Sequence, residues 1–277
     1  MEELIYADRS GRGKLRFTGP QRAWFLHQIM TQAFEDIAPG EARETAMITA
    51  HGRMLGYMEV VATDDALLAH FEPDLLATLP DEIGRYVFAT RVEIEDVSAD
   101  MGLVLVAGEA WSRASVDAAV VHPTSSLGIP AAYLWVPVQD VDATIAAVEA
   151  AGARRAGEDE LEAIRIANGV PRWGYEMDSK TIPQEAGIET RAVHFDKGCY
   201  LGQEAMAKIQ FRGKVNRRVA PIQSEDGLER GADVVSEGTT VGRVTSAAGG
   251  RGLALVKHTV VPDTLVSVGD APARVVG

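Results

Sequence analysis

A chain of 277 residues with 46% hydrophobic and 24% charged side chains has the make-up of a globular protein long enough for two or three compact lobes. Its net charge of −13, from 27 basic and 40 acidic residues, argues against non-specific nucleic-acid binding, which needs a basic face. No run reaches the length of a membrane span, the acidic start MEELIYADRS lacks the apolar stretch of a signal peptide, and a single cysteine excludes an internal disulfide and fits a reducing cytoplasm.

In chain order, residues 14–18 read as a strand, and Gly19-Pro20 leads into an amphipathic helix over 20–30 with Trp24, Phe25 and Ile29 able to share a face. Pro39-Gly40 marks a turn before a strand at 44–50. Strands are expected at 54–62, 67–71, 91–97, 103–107 and 131–136, with helices at 73–86 and 141–151, a pattern of ferredoxin-like α/β units. Residues 108–128 lack apolar periodicity and read as a looser surface stretch. A helix follows at 159–167. Beyond it, residues 168–187 form a long irregular segment with Trp173, Tyr175, Glu176, Asp178 and Glu185, read as an ordered loop facing a site. From 216 onward six short strands punctuated by glycine argue for a small β-barrel or sandwich.

The densest chemistry lies in residues 195–212, FDKGCYLGQEAMAKIQFR, which hold the only cysteine. Gly198 and Gly202 suggest a tight loop around Cys199, and Gln203 opens a run of good helix formers. A helix N-terminus and the Lys197 ammonium would both favour thiolate, so Cys199 is expected to be activated. The structural alternative is a small buried apolar residue, the usual fate of a free cysteine. One thiol cannot hold an iron–sulfur cluster unaided, and the six histidines show no short ligand spacing, so no zinc site is expected. Lys208, Arg212, Lys214, Arg217 and Arg218 put five basic residues within eleven positions, either a seat for a polyanionic tail or a solvated strand edge.

Lys-Gly-Cys-Tyr-Leu-Gly-Gln-Glu at 197–204 resembles the K-G-C-[YF]-x-G-Q-E signature of the YgfZ family, folate-binding proteins linked to iron–sulfur cluster maintenance and related to the T-protein (aminomethyltransferase) of the glycine cleavage system. Other segments are similar to T-protein patterns: Asp8, Ser10, Lys14, Gly19-Pro20 and Phe25-Leu26; Arg165, Gly169, Gly174, Glu176-Met177-Asp178 and Pro183 with Glu185-Ala186-Gly187; and Gly242 to Ser246. The resemblance implies an α+β fold of three lobes in a ring around a tetrahydrofolate channel. In it, residues 1–50 and 157–214 would form a folate-binding lobe, 51–156 a second ferredoxin-like lobe, and 215–277 the barrel.

The chain departs from the T-protein pattern where aspartates are expected, having Gly56-Tyr57, and at a second carboxylate position, having Ala167, although Glu59 is close by. Those losses argue against glycine-cleavage chemistry and leave folate binding as the shared property. Expected folate contacts are Tyr57, Trp173, Tyr175, Glu176, Gln203, Glu204 and Arg212, with Gln203 and Glu204 also suited to capping their helix. Cys199 and Lys197 are the expected reactive pair, acting by mixed disulfide, shared cluster ligation or nucleophilic attack. The function implied is a cytoplasmic, monomeric, folate-binding accessory protein for iron–sulfur cluster assembly or repair in other enzymes. A tetrahydrofolate-dependent one-carbon transferase or demethylase is the alternative, and a folate-binding scaffold with an incidental cysteine a third possibility.

Overall fold

A computed structural model describes residues 3–114, 116, 120–213 and 215–276. The strands are β1 (Ile5–Asp8), β2 (Gly13–Thr18), β3 (Ala42–Ile48), β4 (Met54–Ala62), β5 (Leu67–Phe71), β6 (Glu93–Asp96), β7 (Met101–Ala107), β8 (Val120–Thr124), β9 (Ala131–Pro137) and β10 (Arg154–Arg155). Between and after them run the helices α1 (Arg22–Ile29), α2 (Leu79–Gly84), α3 (Val141–Ala150), α4 (Glu158–Ala167), α5 (Pro183–Ala186), α6 (Glu189–Ala192) and α7 (Gln203–Arg212). The C-terminal strands are β11 (Arg217–Gln223), β12 (Asp233–Ser236), β13 (Thr239–Ala248), β14 (Arg251–Lys257), β15 (Leu265–Val268) and β16 (Ala271–Val275).

These strands make two five-stranded sheets, ordered β10-β1-β7-β9-β8 and β3-β4-β5-β2-β6, and a closed six-stranded barrel ordered β11-β14-β13-β12-β15-β16. Closure removes the exposed edges that so small a set of strands would otherwise present. The two sheets share an apolar core: Val61 and Leu68 of one meet Ile5, Leu105, Tyr133 and Trp135 of the other. Their outer faces carry the helices. Phe25, Leu26 and Ile29 of α1 pack on Leu15, Phe17 and Val60, while Val141 and Val148 of α3 pack on Val104, Leu134 and Val136. Alternation in β4 explains both contacts, since Val60 and Val61 point to opposite faces and both are buried.

Strand pairing runs across the lobe boundary expected at residue 51. β4 and β5 do not found a second lobe; β4 pairs with β3 from Ala42↔Val61 to Ile48↔Met54, and β5 pairs with β2. The chain of β1 crosses instead to the sheet of β7 and β9. Within the stretch read as a looser surface segment, Val120–Thr124 form a strand, β8, which pairs with β9 over five residues despite Pro123. Proline is tolerated there since β8 is the edge of its sheet.

Candidate functional site

Cys199 is exposed, as a reactive thiol requires and as the buried alternative would not allow. It sits in the loop entering α7, whose N-cap Gly202 has a φ of 81°. A Cβ at Gly202 would lie 2.4 Å from the Thr49 carbonyl oxygen, so only glycine lets the loop close against the end of β3. The thiol lines an open apolar cleft of about 380 Å³ with Trp24, Phe25, Ile29, Tyr86 and Phe88. Tyr200, next in sequence, turns inward and packs in the core with Ile48 and Met206.

Lys197 is not the thiol's partner. It is 7% exposed, and its Nζ donates to the carbonyls of His27, Met30 and Gln32, the last at 2.9 Å. These carbonyls lie at and beyond the C-terminal end of α1, the negative end of the helix dipole. Burial lowers the lysine's pKa to about 7. Three acceptors around one nitrogen nevertheless match the three N–H bonds that only the ammonium form has. The Tyr200 ring lies 4.6 Å from the same Nζ, a further contact favouring the cation. With every N–H committed, Lys197 holds the Cys199 loop to α1 rather than activating sulfur. Gln203 closes the same loop, its Nε2 donating to the Lys197 carbonyl at 3.2 Å, while Glu204 is exposed on the outer face of α7.

Two of the expected folate contacts converge elsewhere. Tyr57 and Trp173 line a narrow cavity of about 50 Å³ where both sheets, α4 and the 168–187 loop meet. Its walls are rich in guanidinium and carboxylate groups: Arg9, Arg12, Glu59, Glu72, Arg172 and Arg191 among them. Glu72 is clamped between Arg12 and Arg172, the latter at 2.9 Å. Burial would raise its pKa, but the two guanidiniums hold it at about 2. Tyr57 donates to Glu44, and burial followed by that carboxylate pushes its phenol well above the usual range.

Tyr175 and Glu176 lie outside this cavity and work as structural joints. Tyr175 is stacked by Arg230 of the barrel at 3.8 Å, with Arg165 and Arg172 also over its ring. Glu176 has a fully buried side chain whose oxygens accept from Arg165 at 3.0 Å, the Arg172 amide at 3.0 Å and the Ser246 hydroxyl at 2.5 Å. Sealed from solvent and held by three donors, this carboxylate joins α4 to β13 rather than facing a pterin. Arg212 has its backbone in α7, but its side chain and Lys214 fall outside the described residues. Of the other basic residues in that run, Arg217 grips Glu185 through two bonds of 3.1 and 3.0 Å and Arg218 donates to the Val260 carbonyl. They are strand anchors, not a free seat for a polyanionic tail.

Sequence spacing did not disclose a second buried cluster: one ligating atom each of Glu59, His70 and His122 lies within 4.8 Å of the others. The donor set is one a divalent metal could use. The hydrogen bonds say otherwise. Arg12 Nε donates to His70 Nδ1 at 3.0 Å and Trp135 Nε1 to His122 Nδ1 at 3.4 Å. Neither donor can accept, so each neutral ring carries its hydrogen on Nε2 and offers no lone pair there. A metal-bound histidine normally needs the reverse, its second nitrogen donating outward. The cluster is therefore two N–H donors facing a carboxyl. The signal available beforehand was a polar residue at an inward position of an apolar strand, Glu59 in β4 and His70 in β5.

Two α/β sheets sharing one core, with a closed barrel beside them, define an aminomethyltransferase-type fold. The glycine cleavage system aminomethyltransferase T of Bartonella henselae superposes over 100% of this chain and 86% of its own, with a TM-score of 0.87 at 13% identity. The profile of the CAF17 C-terminal β-barrel domain matches residues 216–276, the barrel strands. Among curated relatives, a chloroplastic protein of Arabidopsis thaliana whose name carries the word transferase is 26% identical over 90% of this chain and 62% of its own length. The mitochondrial iron-sulfur cluster assembly factor IBA57 homolog of Phaeosphaeria nodorum is 23% identical over 88% of this chain and 68% of its own. The tRNA-modifying protein YgfZ of Yersinia pestis is 25% identical over 73% of this chain and 65% of its own. This chain thus spans less than two thirds of the Arabidopsis and Yersinia relatives. Its barrel is similar to the CAF17 C-terminal barrel, and its sequence is similar to IBA57 and YgfZ proteins. Among the described residues no helix is long and apolar enough to cross a membrane.

Proposed function

We propose that this protein is an accessory factor in assembly or repair of iron–sulfur clusters in other enzymes, acting through Cys199, and that it binds a reduced folate at the cavity lined by Tyr57 and Trp173. The observation that carries the reading is the exposure of the only thiol beside an open apolar cleft, on a loop fixed from beneath by Lys197. Such a thiol can join a mixed disulfide with a partner or lend one ligand to a cluster held mainly by another chain. The relative named as an iron-sulfur cluster assembly factor supports the same role. Folate would meet two aromatic side chains and a net positive wall, which suit a flat ring system and a carboxylate tail. The narrow cavity is far below the roughly 300–1,000 Å³ of ordinary ligand sites, so binding requires its walls to widen.

The test is complementation. A host lacking the protein, supplied with wild type, regains the activity of its cluster-dependent enzymes; supplied with folded Cys199→Ala, it does not. Full recovery with the variant refutes the reading. The folate-dependent one-carbon transferase is kept as a second reading on one observation: Glu59 supplies the cavity with a carboxyl. Turnover of an N-methyl or aminomethyl donor by purified protein and tetrahydrofolate would select it.

A further inference from the structure

Four ionisable residues run in a row across one sheet. Lys14 on β2 opposes His70 on β5, His70 opposes Glu59 on β4, and Glu59 opposes Glu44 on β3. Directly opposed residues of antiparallel strands point to the same face. This face is the one packed on the second sheet, from which His122, Tyr133 and Trp135 approach His70 with ring centroids 4.9, 4.4 and 5.8 Å away. Lys14, His70 and His122 are at most 1% exposed and Glu59 is 3% exposed, a costly set of groups to seal between sheets. Lys14 is satisfied by the Ser10 and Arg12 carbonyls at 2.6 and 2.8 Å. His70 Nε2 is not; it is buried with no hydrogen-bond partner, beside the Glu59 carboxyl.

Glu59 stands apart from its neighbours in the row. With Arg191 it lines both the narrow cavity and a separate cleft of about 360 Å³ bounded by Glu44, His122, Thr124 and Ser125. Its Oε2 accepts from Thr124 at 2.5 Å and lies 3.9 Å from His122 Nε2, both groups belonging to the cleft.

We propose that Glu59 is a proton-exchanging carboxyl that takes a proton from solvent in the outer cleft and delivers it to a basic nitrogen of the ligand that occupies the narrow cavity. The step is a proton transfer alone. Hydronium or water in the cleft protonates the carboxylate, the carboxylic acid gives that proton to a basic nitrogen in the cavity, and the carboxylate is restored. The Thr124 hydroxyl stays in place as a donor to the carboxylate, with the Nε2–H groups of His70 and His122 close by, which keeps the ionised form available inside the core. Facing Glu59 are Glu44 of β3, Tyr57 of β4, His70 of β5, His122 of β8, Tyr133 of β9, Arg12 and Arg191 of α6. Burial first, then Glu44, raises the pKa of Glu59 to about 7, against the opposing pull of Arg12 and Arg191. The proposal shares its cavity with the folate reading and stands apart from the thiol.

Infrared difference spectroscopy of the ligand-free protein against pH is the test. The expected result is one buried carboxylic C=O band titrating between about pH 6 and 8, absent in Glu59→Gln with the circular dichroism unchanged. The band shifts on transfer to D₂O, and Ser125→Trp, which fills the cleft, slows that shift. A band that survives Glu59→Gln, a midpoint near the ordinary glutamate value, or a D₂O shift as fast in Ser125→Trp as in wild type would each overturn the proposal. Because no folate is added, failure here leaves the proposed function untouched, and failure of folate binding leaves this result standing.

Discussion

Lys197 and Cys199 are two residues apart in a motif that invites pairing an ammonium with a thiol, yet the lysine points into a cage of three carbonyls. Spacing gave their proximity along the chain but not direction, since a side chain turns toward whatever unmet acceptors the tertiary fold leaves, here the end of α1. Replacing Lys197 by Met leaves those carbonyls buried and unmatched, at a cost of about 2–4 kcal/mol in urea unfolding. The alkylation rate of Cys199 in the folded variant should stay within about threefold of wild type; a tenfold fall would restore the lysine as the thiol's activator. Glu59 was legible only as a carboxylate near an expected one, because its partners lie 11 and 63 positions further along the chain. Its raised pKa carries a stability consequence with a definite sign. A carboxyl whose folded pKa exceeds its unfolded value of 4.5 favours folding at low pH, and that benefit is lost as pH rises through about 7. Between pH 5 and 8, wild type should therefore lose up to roughly 3 kcal/mol relative to Glu59→Gln, measured by urea unfolding at each pH. Equal pH slopes in the two proteins would show that Glu59 ionises normally.

At the scale of elements, strands announced themselves where apolar residues were continuous. β4 and β5 fall at the expected 54–62 and 67–71. β8 escaped notice because Val120–Thr124 is short, half polar and contains proline, and only pairing with β9 makes it a strand. Pairing is also what the lobe division lacked: periodicity reveals a strand but not its neighbour, and β3 with β4 turned out to be a hairpin across the expected boundary. The 168–187 loop is ordered, as read from its aromatics, but its chemistry is divided. Trp173 faces the cavity, while Glu176 ties α4 to the barrel through Arg165 and Ser246. Glu176→Ala should cost about 2–3 kcal/mol, because the buried Arg165 keeps Glu162 but loses its second carboxylate and the Arg172 amide and Ser246 hydroxyl lose their acceptor, whereas Trp173→Phe should cost far less. Thermal unfolding of the two variants checks this, and a mild effect of Glu176→Ala would mean that the joint is dispensable.

On the scale of the whole molecule, the thiol and the cavity are two places, not one. Cys199 lines its own cleft with Trp24, Tyr86 and Phe88, and shares no wall with the cavity of Tyr57, Trp173 and Glu59. The sequence resemblance brought them together in a single expected folate site; the structure divides them, with the core around Tyr200, Ile48 and Met177 carrying the intervening protein. A reduced folate would then act on the thiol's partner chemistry only through the fold, or would hold the protein in its working conformation. The most direct measurement is a calorimetric titration of 5-formyltetrahydrofolate into wild type, Cys199→Ala and Trp173→Ala. Two separate sites require that Cys199→Ala bind within about twofold of wild type while Trp173→Ala weakens binding about tenfold or more. A tenfold loss in Cys199→Ala with Trp173→Ala unaffected would contradict the account.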